Sequence, residues 1–166
     1  MNFKEISPYD LTQNPFSLIG KDWMLITAEH EGKINTMTAS WGGVGILWNK
    51  PVAFVFVRPT RHTFSFIENT EYFSLSFLPE EYRDKLSYCG KVSGRNENKI
   101  EKCGFTVSKD AAPYFEESDM VFICKKHYAD MLSAKGFIHA EMDESCYADK
   151  NYHKLYIVEI EKVLKK

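Results

Sequence analysis

The chain has 166 residues, with 21 basic against 23 acidic side chains, so no broad positive field draws it to nucleic acid or to an anionic membrane. Its 44% apolar and 14% aromatic content is enough to fill one core, and a single domain over residues 1–166 is the simplest division. The apolar runs are too short to span a bilayer, and residues 1–15 lack the basic start and apolar stretch of an export signal, which predicts a cytoplasmic protein.

Taken in chain order, Trp23 to Ala28 is the first strand-like run, and Glu31-Gly32-Lys33 reads as the turn of a hairpin into Asn35 to Trp41. On that second strand Thr36, Thr38 and Ser40 share one face, while Met37, Ala39 and Trp41 occupy the other. Val52 to Arg58 follows, rich in β-branched and aromatic residues, and Pro59 closes it because proline cannot donate to a continuing ladder. A helix is predicted from Thr60 or Arg61 to Asn69, then a strand over Tyr72 to Phe77. Helices are expected over Glu80 to Ser87, opened by Pro79, and over Asn96 to Cys103, stopped by Gly104. Val121 to His127 and Leu155 to Val163 complete six strands; in the last, Tyr156, Val158 and Ile160 alternate with an outward face of Ile157, Glu159 and Glu161. The fold class predicted is mainly β, a closed antiparallel β-barrel with peripheral short helices over its openings.

Two stretches can carry chemistry. Arg58-Pro59-Thr60-Arg61-His62-Thr63 places two guanidiniums and a hydroxyl at a helix start, a donor set suited to a phosphate; solvated charges at a strand end are the alternative. Ser93, Arg95 and Lys99, on a turn containing Gly94 and the helix after it, add basic groups that can converge there. The other stretch runs from Thr36 to Gly45, where hydroxyls precede Trp41-Gly42-Gly43 and missing side chains let a flat ring approach the backbone. A glycine-rich barrel corner with its tryptophans in the core accounts for the same residues. Asn151-Tyr152-His153-Lys154 offers a histidine in a polar stretch before the last strand.

Other chemistries lack support. The four cysteines, Cys89, Cys103, Cys124 and Cys146, form no CxxC pair, so reduced thiols are expected, with Cys124 in the core and Cys89 nearer a site. No HxH or HExxH spacing points to a metal, and no GxSxG, GxGxxG or GxxxxGK[ST] motif is present.

Four motifs in this order, Asn35 to Trp41, Arg58 to Thr63, Ser93-Gly94-Arg95 with Lys99, and Asp149 to Ile160, make the chain resemble the flavin reductase-like proteins of the FMN-binding split barrel, particularly the flavoredoxin-like branch. It departs from that family's pattern at Asn98, where aspartate is usual, and at Glu159, where glycine is. The resemblance implies FMN at a homodimer interface, its ring along Thr36, Thr38, Ala39, Ser40 and Trp41. It implies a phosphate held by Arg58, Arg61, His62, Thr63 and Lys99, with Ser93 and Arg95 reaching the flavin from either subunit. His153 is implied to be the catalytic residue, near where a nicotinamide stacks. The implied activity is that of an FMN-dependent oxidoreductase, taking electrons from NAD(P)H to a flavin or a redox protein partner. An FMN-carrying electron carrier or sensor without NAD(P)H turnover, and a cofactor-free β-barrel binding module, are the alternatives.

Overall fold

Each strand-like run of the sequence overlaps a strand of the computed structural model, which describes residues 2–166, with Trp23, Ser40, Trp41 and Arg58 falling just outside. β1 (Lys4–Ile6) leads to α1 (Pro15–Gly20), which the sequence reading lacks; its N-cap Asn14 accepts a hydrogen bond from Phe16 N–H at 2.9 Å, with Pro15 at the first helical position. β2 (Met24–His30) and β3 (Lys33–Ala39) form the expected hairpin, with Glu31 and Gly32 at φ of 51° and 73°.

The glycine-rich stretch, for which a barrel corner is the alternative reading, is a strand. β4 (Gly42–Leu47) and β5 (Lys50–Val57) make a second hairpin around Trp48 and Asn49, at φ of 53° and 56°. Two consecutive left-handed residues give the twist a two-residue hairpin needs, but Trp48 is not a residue that announces such a turn. Gly42 is required where it stands: its φ is 149°, and a Cβ there would lie 2.7 Å from the carbonyl oxygen of Phe54.

α2 (His62–Glu68) and β6 (Tyr72–Phe77) follow as predicted. Pro79 opens a short 3-10 turn over Glu80–Tyr82, so α3 (Arg83–Lys91) starts and ends later than expected and buries Leu86 and Cys89. α4 (Lys99–Cys103) is shorter than expected because Asn98 caps it, accepting from Glu101 N–H; Gly104 ends it at φ 63°. A small hairpin of β7 (Val107–Lys109) and β8 (Pro113–Phe115) precedes β9 (Met120–Met131), which runs past His127. α5 (Ala140–Cys146) sits in the connection to β10 (Lys154–Lys165).

The main sheet is antiparallel, ordered β3-β2-β6-β9-β10-β5-β4 with β1 on β10. Ile26, Met37, Val55, Phe73, Phe122 and Tyr156, from six strands of that path, meet in one interior. The hydrogen-bonded path ends at β3 and β4 rather than closing, and the chain crosses between those edges through Ser40 and Trp41. Tyr156, Val158 and Ile160 face inward as expected, but Ile157 is also buried, where β10 slips register against β9 between Ile157 and Val158. No helix among the described residues is long and apolar enough to cross a membrane.

Candidate functional site

Two cavities share Arg61. One, of about 230 Å³, is lined by Met37, Thr38, Ala39, Ser40 and Trp41 at the end of β3, by Phe56 of β5 and Arg58 just past it, and by Arg61 and His153. The other, of about 190 Å³, lies between the start of α2 (Arg61, His62, Thr63) and the segment from Gly90 to Gly94, with Lys99 on its wall. Each alone is smaller than the roughly 300 Å³ at which small-molecule pockets begin. Arg61 lines both, so one ligand passing it can use the two together.

Cations crowd the smaller cavity. Lys99 Nζ and Arg61 Nη2 both donate to the carbonyl oxygen of Cys89, at 3.1 and 3.4 Å. Among the described residues neither cation, nor Arg95, pairs with a carboxylate. Lys99 is only 3% exposed. Burial pulls its pKa down to about 8 and lowers that of Arg61 too. Burying ammonium and guanidinium side by side against one neutral carbonyl is costly, and a dianion offsets that cost. Burial, then Arg95 and Lys99, likewise lower the pKa of His62.

Gly94 completes the cradle, because a Cβ there would stand 2.1 Å from Asn35 Oδ1 and 3.1 Å from His62 Cδ2. Asn35, on β3, donates through Nδ2 to Thr63 Oγ1 at 2.8 Å, so it ties the barrel to the first turn of α2. Thr38 Oγ1 donates to the carbonyl of Leu86 at 2.5 Å, docking α3 on the same strand. Asn35 shows in the sequence only as the residue before the hydroxyl series, and its role depends on the pairing of β3 with distant α2.

Of the residues singled out in sequence, Thr38, Ala39, Ser40, Trp41, Arg58 and His153 line the larger cavity, and His62, Thr63, Ser93 and Lys99 the smaller, with Arg61 in both. Arg95 stands behind the smaller one, donating to the carbonyl of Thr60 at 3.2 Å. Thr36 lies apart from both: its hydroxyl is fully buried, 2.9 Å from Thr27 Oγ1 and 3.2 Å from the carbonyl of Ile26, within the sheet. Arg58 and Arg61 both line the larger cavity, but only Arg61 also lines the smaller one; a tight turn in which Arg61 N–H donates to the carbonyl of Arg58 joins them. Arg58 meets the carbonyl of Cys146 at 3.1 Å, Asp149 at 3.5 Å and the face of Tyr147 at 5.5 Å.

Trp41 and Trp48 are half-exposed, at 50% and 52%, and not in the core. His153 stands 5.2 Å from the Trp41 ring, and its Nδ1 lies 2.8 Å from the hydroxyl of Tyr147, a partner that sequence alone does not connect to it. Burial, then the neighbouring Arg58, push the His153 pKa down to about 4, so the ring is neutral at physiological pH. Cys89 and Cys103 are free thiols with sulfurs 3.7 Å apart. Burial pushes Cys89 up to about 12, which makes it a poor nucleophile. Glu159 pairs with Lys50 and His127, each at 2.7 Å, and faces away from both cavities' linings. No cluster of three or more potential metal ligands occurs among the described residues.

Residues 16–165 match the family described as the flavin reductase like domain. An uncharacterized protein of Aeropyrum pernix is 28% identical over 85 residues, which are 51% of this chain and 32% of that protein; the chain thus spans about a third of the length of the curated relative it matches. A flavoredoxin from Methanosarcina acetivorans is 23% identical, with a TM-score of 0.68 over 87% of this chain and 68% of its own. An FMN-binding domain of a flavin reductases-like enzyme from Shewanella baltica is 18% identical, with a TM-score of 0.70 over 99% and 77%. An FMN-binding protein from Thermus thermophilus with bound 1-cyclohex-2-enone is 17% identical, with a TM-score of 0.68 over 98% and 77%. These likenesses establish the split-barrel fold.

Proposed function

The chain belongs to the flavin reductase like domain family, and from that premise we propose that it is an FMN-binding oxidoreductase that moves electrons from NAD(P)H to a flavin or a redox protein. The observation that carries this reading is the pair of cations, buried Lys99 and half-buried Arg61, that share one carbonyl beside the cavity at Trp41. A phosphate joined to a flat ring is a ligand that suits both cavities.

Lys99, Arg61, His62, Thr63 and Ser93 hold the phosphate in this reading, and Gly94 leaves it room. Thr38, Ala39, Ser40 and Trp41 border the ring. Bound FMN supplies two-electron redox chemistry between a nicotinamide and the final acceptor. The chain's own part is to bind, orient and exclude water: Trp41, Phe56 and the neutral His153 wall the side from which a second flat molecule can stack. A homodimer with its interface beside the cavities is part of the proposal, supported by the exposed apolar side chains of Phe16 on α1 and of Trp41, Ile46 and Trp48 on and flanking β4. Sedimentation of the purified protein as a monomer at micromolar concentration would remove it.

The absorbance spectrum tests the cofactor. The protein should carry, or take up on titration, one equivalent of FMN, and a protein that stays colourless with FMN added is a cofactor-free module instead. Anaerobic mixing with NADH or NADPH should bleach the flavin band. Reduction by a ferredoxin-like donor with no response to either nicotinamide assigns the chain as an electron carrier.

The FMN affinity should also peak between about pH 6 and pH 8. A phosphate monoester gains its second charge above a pKa of about 6, and Lys99 loses its charge above about 8. Affinity therefore rises through the first value and falls through the second, and fluorescence titration across pH 5 to 9 reads both limbs. In Lys99→Met the upper limb should vanish, whereas an upper limb that persists assigns it to another group.

A further inference from the structure

The connection between β9 and β10 carries more structure than a loop needs. Tyr147 and Tyr152 stack with ring centroids 5.0 Å apart, and Phe137 packs against both at 5.7 and 6.3 Å. Asp143 accepts from Tyr152 Oη at 2.7 Å and pairs with Lys150 at 2.6 Å, and Arg58 covers the Tyr147 ring. All of this fixes one phenol, whose hydroxyl lies 2.8 Å from His153 Nδ1. That hydroxyl has no other hydrogen-bond partner among the described residues, and a phenol donates far better than it accepts. Nδ1 is then the acceptor, and the ring proton must sit on Nε2. No protein group among the described residues takes that proton, and His153 lines the larger cavity beside Trp41.

We propose that Tyr147 is a positioning residue that locks His153 as its Nε2–H tautomer, making the imidazole a neutral donor to a carbonyl or carboxamide oxygen of the molecule that stacks over the ring cavity. This rests on the oxidoreductase reading for its kinetic consequence but not for the tautomer itself. A neutral donor suits the place, because Arg58 already puts a positive charge there. Without the Tyr147 proton the imidazole divides between two tautomers, and one of them turns a lone pair, not a donor, toward the substrate.

Tyr147→Phe tests this, since it removes the hydroxyl and keeps the ring that Arg58, Phe137 and Tyr152 pack against. Long-range proton–nitrogen NMR of the histidine side chains, on the full chain with or without FMN, should show His153 as the Nε2–H form alone, and as a mixture in Tyr147→Phe. With FMN bound, kcat for NAD(P)H oxidation should fall in proportion to the Nε2–H fraction that the NMR reads, about twofold for an even division of tautomers, while the FMN dissociation constant does not move with it. In a His153→Gln background, where the amide keeps a donor at the Nε2 position, adding Tyr147→Phe should cost nothing further. A tautomer unchanged by Tyr147→Phe, or an equal loss in the His153→Gln background, overturns the proposal. Failure to bind FMN at all would sink the function proposed above and leave the NMR result to decide this one.

Discussion

Arg61→Ala should weaken FMN about ten- to hundredfold and riboflavin by no more than about threefold. The first figure follows from ~1.5–3 kcal/mol for a hydrogen bond to a charged partner; the second follows because riboflavin lacks the phosphate. Arg61 is the side chain that belongs to both cavities, and its nearest partner is a neutral carbonyl that Lys99 already occupies. Removing it therefore leaves no protein anion stranded, and the loss falls on the ligand. Arg58→Ala should behave differently. Arg58 holds the carbonyl of Cys146, Asp149 and the face of Tyr147, so its removal loosens α5 against the ring cavity and weakens both flavins alike. Flavin fluorescence quenching measures all four affinities. A proportional loss of FMN and riboflavin in Arg61→Ala would show that this guanidinium supports the fold rather than the phosphate.

The contrast between those two arginines marks how far sequence carries the site. Their shared hexapeptide, Arg58 to Thr63, is legible as an anion motif because the residue types alone state the chemistry. Their different placement, Arg61 in both cavities and Arg58 in the larger alone, is not, because it depends on what folds against each of them. The same limit applies at Thr36. Period-two alternation groups it with Thr38 and Ser40, but β2 brings Thr27 opposite, and the two hydroxyls satisfy each other inside the sheet. β4 was hidden for a different reason. Its glycines read as a corner, and only pairing with β5 through left-handed Trp48 and Asn49 shows a strand. Tyr147 is the extreme case. Six positions before His153, in a stretch without clear period, it meets His153 only once the end of α5 folds back against Arg58.

Gly94→Ala should abolish tight FMN binding while leaving the fold largely intact. The added Cβ, 2.1 Å from Asn35 Oδ1, must push the Asn35 amide off Thr63 and crowd His62 at 3.1 Å. Overpacking of this kind costs ~1–3 kcal/mol, and here most of it strikes the wall of the anion cavity. FMN affinity should fall at least about tenfold, with a melting temperature lowered by a few degrees, about 2–4 °C per kcal/mol for a domain of this size. The clash has a specific partner, so it can be relieved. Asn35→Ala shortens the side chain that the new methyl meets, and in the double variant FMN should regain most of its affinity. Stability should not return, because the buried Thr63 hydroxyl loses its donor and that costs ~1–3 kcal/mol by itself. Binding recovered without stability places the fault at the contact between Gly94 and Asn35. If instead the losses in affinity simply add, Gly94 serves the backbone of its own turn and the cradle is formed by other residues.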